Sequence, residues 1–101
     1  MKAYLTVKEL KGSKLCPIDR RKFRKHFKGN KAPIKDLLRW VRFLRKPEWE
    51  AWLLAQTPEL TRSMLAAGAD VNACNGYAFF FAETENRPEV LRLLREQKKT
   101  E

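Results

Sequence analysis

Pro58 to Asn72 reads PELTRSMLAAGADVN. Thr57 precedes it with a hydroxyl suited to accept from the unpaired N–H groups of a first helical turn, and proline fits the first helical position because its missing N–H would have no partner there. Glu59 adds negative charge beside the positive end of the helix dipole. The spacing predicts a helix to about Ala67. Gly68 stops it, since glycine adopts the left-handed conformation at little cost, and Asp70 and Asn72 supply the polar side chains of a sharp turn.

Working outward, a shift of 30 residues lays Pro58-Glu59-Leu60 on Pro88-Glu89-Val90, Arg62 on Arg92, Met64 on Leu94 and Trp49 on Phe79, with no gap. A fixed period of this length marks stacked supersecondary units, none of which can bury its apolar face alone. The Gly68-Ala69-Asp70-Val71-Asn72 turn after a Glu-Leu-Thr-Arg-Ser-Met-Leu helix resembles the second helix and turn of an ankyrin repeat. Tyr77-Ala78-Phe79-Phe80-Phe81-Ala82 followed by Glu89-Val90-Leu91-Arg92-Leu93-Leu94 is similar to the 30-residue ankyrin variant that reads Y-A-L-R-W-A and then E-V-V-x-x-L. The resemblance covers about Pro47 to Gln97. It departs at Phe80, where that variant has Arg, at Asn86-Arg87, where Gly-His is usual, and in lacking a T-P-L-H start. It implies one to two degenerate helix-turn-helix repeats that bind another protein.

Two units are too few for a repeat stack, which calls for a further neighbour on the N-terminal side. Ile34, Leu37, Leu38, Val41 and Leu44 follow the spacing of a buried helical face, with Lys35, Arg39, Arg42 and Lys46 on the other side, so 33–46 is expected to be that neighbour. It would pack on Trp49 and Trp52 of a helix from Glu48 to Gln56, and Trp40, Trp49 and Trp52 are expected in the core. Arg92, Arg95, Lys98 and Lys99 are expected to finish the far end. Asp19 to Lys28 reads as a shorter helix held to the core by Phe23 and Phe27 and ended by Gly29-Asn30. Ala3 to Leu10 favours a short strand, although Ala3, Val7 and Leu10 also fit a helical face. The expectation is a mainly α domain, one folded unit with a basic segment over 1–32 and an ankyrin-like helical part over 33–101.

Charge divides the chain. The net charge of +10 resolves into +13 over residues 1–47 and −3 over 48–101. Such asymmetry points the first half at something anionic. At 101 residues, with 44% hydrophobic residues and four glycines, the chain holds one packed core with no room for a deep substrate cavity. No run approaches the roughly 18 apolar residues of a membrane span. Two cysteines, Cys16 and Cys74, far apart and with His26 as the single histidine, suit neither a secreted disulfide framework nor a zinc site, so free thiols in a reducing cytoplasm are expected. No phosphate-binding loop, nucleotide-binding turn or convergent acid–base set is present, which argues against an enzyme and for no cofactor.

Function is therefore expected in binding. A non-enzymatic interaction module would meet an acidic protein or nucleoprotein through Arg20, Arg21, Arg24, Lys25, Lys28, Lys35, Arg39 and Arg42, with Asp70, Asn72, Asn75 and Tyr77 adding specificity. It could act by inhibiting a larger host complex, as small ankyrin-like chains of microbial and viral genomes suggest by analogy. The alternative is sequence-non-specific nucleic-acid binding by Asp19 to Lys46, whose twelve Lys and Arg residues would neutralise phosphates. A homodimer is a further expectation, because Phe79, Phe80 and Phe81 cannot all enter one small core.

Overall fold

The structure, a computed structural model, describes residues 3–11 and 16–100. Strand β1 (Tyr4–Thr6) pairs antiparallel with β2 (Lys31–Pro33), Leu5 opposite Ala32, and both of these side chains are buried. Helix α1 (Val7–Lys11) follows β1 directly. Its start is a capping box: the Thr6 hydroxyl accepts from the Glu9 amide, and the Glu9 carboxylate accepts from Thr6 N–H and O–H. The extended reading of Ala3 to Leu10 thus holds for three residues, after which the T-V-K-E capping sequence turns the chain into a helix.

Helix α2 (Arg20–His26) lies within the segment expected from the sequence, with Asp19 as its cap, accepting from the Arg21 amide at 2.9 Å and the Lys22 amide at 3.3 Å. A 3₁₀ turn (Lys28–Asn30) containing left-handed Gly29 leads into β2. The expected boundary between 1–32 and 33–101 falls inside this strand, and the β1–β2 pairing and buried Leu5, Val7, Leu10, Ile18, Phe23 and Phe27 make the N-terminal segment part of the same core.

Helices α3 (Ile34–Phe43), α4 (Pro47–Leu54), α5 (Pro58–Ala66), α6 (Ala73–Thr84) and α7 (Pro88–Thr100) form the rest. Thr57 caps α5 through its hydroxyl, 3.1 Å from the Leu60 amide. Three helix ends share one device. After α3, α5 and α6 a left-handed residue, Arg45, Gly68 or Asn86, is followed by a return bond to the carbonyl of Val41, Met64 or Ala82, the paired-bond cap that satisfies the last carbonyls. The α5–α6 turn is completed by the Asp70 carboxylate accepting from the Asn72 amide at 2.9 Å. The start of α6 passes through three left-handed residues, Cys74, Asn75 and Gly76, before regular helix begins at Tyr77.

Packing follows the 30-residue period. Helix α4 lies along α6 and α5 along α7, while α3 packs on α4 and α5 from the other side. The matched pairs Leu60 and Val90, and Met64 and Leu94, are all buried. Central position makes α4 apolar nearly all round: Trp49, Ala51, Trp52, Leu53 and Leu54 are buried. Helix α6 buries only Ala78 and Ala82, small side chains that let it sit close to its neighbours.

Candidate interaction surface

The cationic face is built on an aromatic floor. Phe23 and Phe27 both meet Trp40 edge to face, at 6.0 and 5.3 Å between ring centroids, and lie tilted 5.0 Å from each other, while Trp49 of α4 closes the cluster 5.6 Å from Trp40. With Phe23 and Phe27 spent inward, the remaining α2 side chains point to solvent: Arg20, Arg21, Lys22, Arg24, Lys25 and His26 are all exposed. The His26 ring lies nearly parallel to Trp40, 19° between planes and 5.6 Å between centroids. His26, Phe27, Asp36, Arg39, Trp40 and Phe43 line an open cleft of about 430 Å³ where the end of α2 meets α3.

Electrostatics separates this face from the rest of the molecule. Arg20, Arg21, Arg24, Lys25, Lys28, Lys35 and Arg39 form no ion pair among the described residues. In the second half Glu50, Glu85, Glu89 and Glu96 are each held by an arginine. Unpaired like charges close together repel, and an anionic partner relieves that repulsion.

Of the expected site residues, Arg20, Arg21, Arg24 and Lys25 lie exposed on α2, Lys28 on the turn that follows it and Arg39 on α3 in the cleft with His26. Lys35 lines a separate cleft with Ala3, Pro33, Ser63 and Ala66. Arg42 is engaged elsewhere, donating to the buried Glu50 carboxylate and, at 2.9 Å, to the Gly68 carbonyl. Asp70 and Asn72 are exposed turn residues whose hydrogen bonds hold the turn. Asn75 is exposed in its left-handed conformation. Tyr77 packs on Phe80 and Phe81.

Two features of this region were not foreseen from the sequence. Phe43 is 82% exposed on α3; the available signal was that it falls outside the 34, 37, 38, 41, 44 stripe. The Arg42–Glu50 contact had a signal too, an acid set between Trp49 and the buried Ala51 and Trp52.

Elsewhere, the two cysteines are free and half-buried. Burial pushes the Cys16 thiol above its usual range, against the opposing hydrogen bond to Ile18 and the Arg20 charge. Among the described residues no group of three His, Cys, Asp or Glu side chains is placed to hold a metal ion, and no helix is long and apolar enough to cross a membrane. Comparison with protein families, with curated proteins and with solved structures gave no match.

Proposed function

We propose that the protein is a non-enzymatic interaction module in which an ankyrin-like pair of helical units carries a cationic face that binds an acidic protein surface or a nucleoprotein. The observation that carries the reading is the set of cations on α2 and α3 that form no ion pair among the described residues, while Glu50, Glu85, Glu89 and Glu96 of the second half are each paired with an arginine. Two stacked helical units with a Gly-Ala-Asp-Val-Asn turn between them support the ankyrin-like description. Blocking a larger complex is the action such a small rigid face would perform.

A second reading is favoured by one feature, the exposed Phe43 beside Arg39 and the His26–Trp40 stack. An exposed aromatic ring among cations is what single-stranded nucleic acid uses, a base stacking on the ring while phosphates pair.

One experiment separates the two. Binding to single-stranded DNA, RNA, duplex DNA and an acidic polypeptide such as polyglutamate is measured across a salt series, for the parent chain, for Arg20→Glu/Arg21→Glu/Arg24→Glu/Lys25→Glu and for Phe43→Ala. The protein-partner reading expects polyglutamate binding that the charge reversal abolishes and Phe43→Ala leaves within about twofold. A loss of roughly 1–3 kcal/mol on single strands from Phe43→Ala alone would instead establish the nucleic-acid reading. Absence of binding to every anionic probe overturns both.

A further inference from the structure

The cleft where the end of α2 meets α3 holds more than cations. Asp36, Arg39, Trp40 and Phe43 follow the i, i+3, i+4, i+7 spacing that sets side chains on one stripe of a helix, and His26 and Phe27 wall that stripe from the end of α2. Phe27 and Trp40 are 8% and 6% exposed and close the floor, while Phe43 is 82% exposed. One face of the His26 imidazole is taken by Trp40.

Two groups of opposite charge share the stripe without satisfying each other. The side chains of Asp36 and Arg39 are exposed, and neither forms a hydrogen bond or an ion pair among the described residues. A bare phosphate would pair with Arg39 but meet repulsion from Asp36. A carboxylate only accepts hydrogen bonds and a guanidinium only donates them, so a ligand that fits both carries a donor and an anionic acceptor a short distance apart. An acidic peptide does, because each main-chain N–H lies close to a carboxylate side chain.

We infer that this cleft seats an aromatic side chain of an acidic peptide segment, the ring packing on Phe43, a neighbouring main-chain N–H donating to Asp36 and an adjacent carboxylate accepting from Arg39. On the protein-partner reading, on which this inference rests, the partner is therefore a run of acids interrupted by Phe, Tyr or Trp. Charge complementarity selects this occupant. The flanking acids meet Arg20, Arg21, Arg24 and Lys25 of α2, which are exposed and form no ion pair among the described residues. Acids alone would leave Phe43 bare and set carboxylates against Asp36. A nucleic-acid strand stacks successive bases on successive open rings, whereas here Phe27 and Trp40 are buried and the phosphates would approach Asp36.

Fluorescence anisotropy with dye-labelled, end-capped peptides tests this. One peptide carries a phenylalanine between two runs of glutamate, its analogue an alanine in that place, and oligothymidylate is the third probe. The parent chain is expected to bind the phenylalanine peptide at least about tenfold tighter than the alanine analogue, the gain from burying one ring. Phe43→Ala, with unchanged circular dichroism because the ring is exposed, is expected to abolish that difference and leave the analogue within about twofold. Equal binding of the two peptides to the parent overturns the inference while the protein-partner reading stands. A phenylalanine advantage that survives Phe43→Ala also overturns it, by placing the anchor elsewhere. Loss of oligothymidylate binding in Phe43→Ala without loss of the phenylalanine advantage makes the cleft a base site and overturns it too. Binding of neither peptide overturns the protein-partner reading itself.

Discussion

Arg42 and Glu50, on successive helices, meet where α3, α4 and the α5–α6 turn come together: the Arg42 guanidinium lies 3.3 Å from each carboxylate oxygen of Glu50, whose Oε2 also accepts the Asp70 amide at 2.7 Å. Glu50 is 4% exposed and Arg42 half-exposed. A buried carboxylate is tolerated only when its lone pairs are used, and here three donors use them. Arg42 extends the tie by donating to the Gly68 carbonyl.

Glu50→Ala removes the acceptor from both the guanidinium and the Asp70 amide. The expected cost is roughly 2–4 kcal/mol, the lower part of that range reflecting the half-exposed arginine. Glu50→Gln keeps one acceptor for the Asp70 amide and is expected to cost about half as much. Urea unfolding of the two variants measures both; equal stability of Glu50→Ala and the parent would show that the network holds nothing.

How far the chain could be read beforehand depends on the range of the interaction. Helix starts at Pro58 and Pro88, the stop at Gly68 and the buried face of α3 are set by residues within a turn or two of each other, so the sequence displays them. The α1 capping box is equally local, yet Tyr4, Thr6 and Val7 also favour a strand, and β-propensity obscured the T-V-K-E signal. Long-range facts are different. That Arg42 is drawn from the cationic set to Glu50, that α6 packs through alanines and leaves Phe80 exposed, and that Phe43 stays bare all depend on which helices become neighbours, and no local spacing encodes that. The charge asymmetry was plain in composition; its consequence, unpaired cations on one face, required the ion pairs of the other half to be known.

The left-handed caps predict opposite effects for two substitutions. Arg45 adopts φ 55° after α3, where a Cβ is strained, while Gly68 at φ 96° does the same service after α5 without strain. Arg45→Gly is expected to stabilise the protein by up to about 1 kcal/mol, and Gly68→Ala to destabilise it by about 1 kcal/mol. An added Cβ at Gly68 meets no atom within 4 Å, so its effect reports backbone conformation and not crowding. Thermal melts of the two variants should move in opposite directions; a shared direction would mean the cap geometry is not what they sense.

Cys16 carries a pH dependence whose sign can be fixed. Burial raises its folded-state pKa above the usual 9.0, so the folded state favours the neutral thiol. Its contribution to stability is fully present below the unfolded-state pKa and is lost as pH rises through the folded value. Since the thiolate is the nucleophile, iodoacetamide at about pH 8 is expected to modify Cys16 more slowly in the folded protein than in urea, read separately from Cys74 by peptide mapping. Equal rates in the two conditions would contradict the burial.

Arg87 supplies a test of whether the two helical units behave as one body. It occupies the position that Thr57 holds one period earlier, but an arginine has no acceptor with which to cap α7. Instead its Nη1 donates to the Gln56 carbonyl in the connection after α4, while Nε pairs with Glu85 at 3.0 Å. Gln56 is itself fixed, its side-chain amide donating to the Trp52 carbonyl at 2.7 Å. Arg87 therefore fastens the second unit to the connection between α4 and α5 of the first. Arg87→Ala is expected to cost roughly 1–2 kcal/mol and to raise amide exchange in α6 and α7 more than in α3 and α4, because the lost contact lies between the units and not within the first. Arg87→Thr would restore a hydroxyl cap to α7 without the link to Gln56, and so should recover protection in the first turn of α7 while leaving α6 as exposed to exchange as in Arg87→Ala. Uniform loss of protection along the whole chain in both variants would mean that the two units unfold together and that Arg87 is not the tie between them.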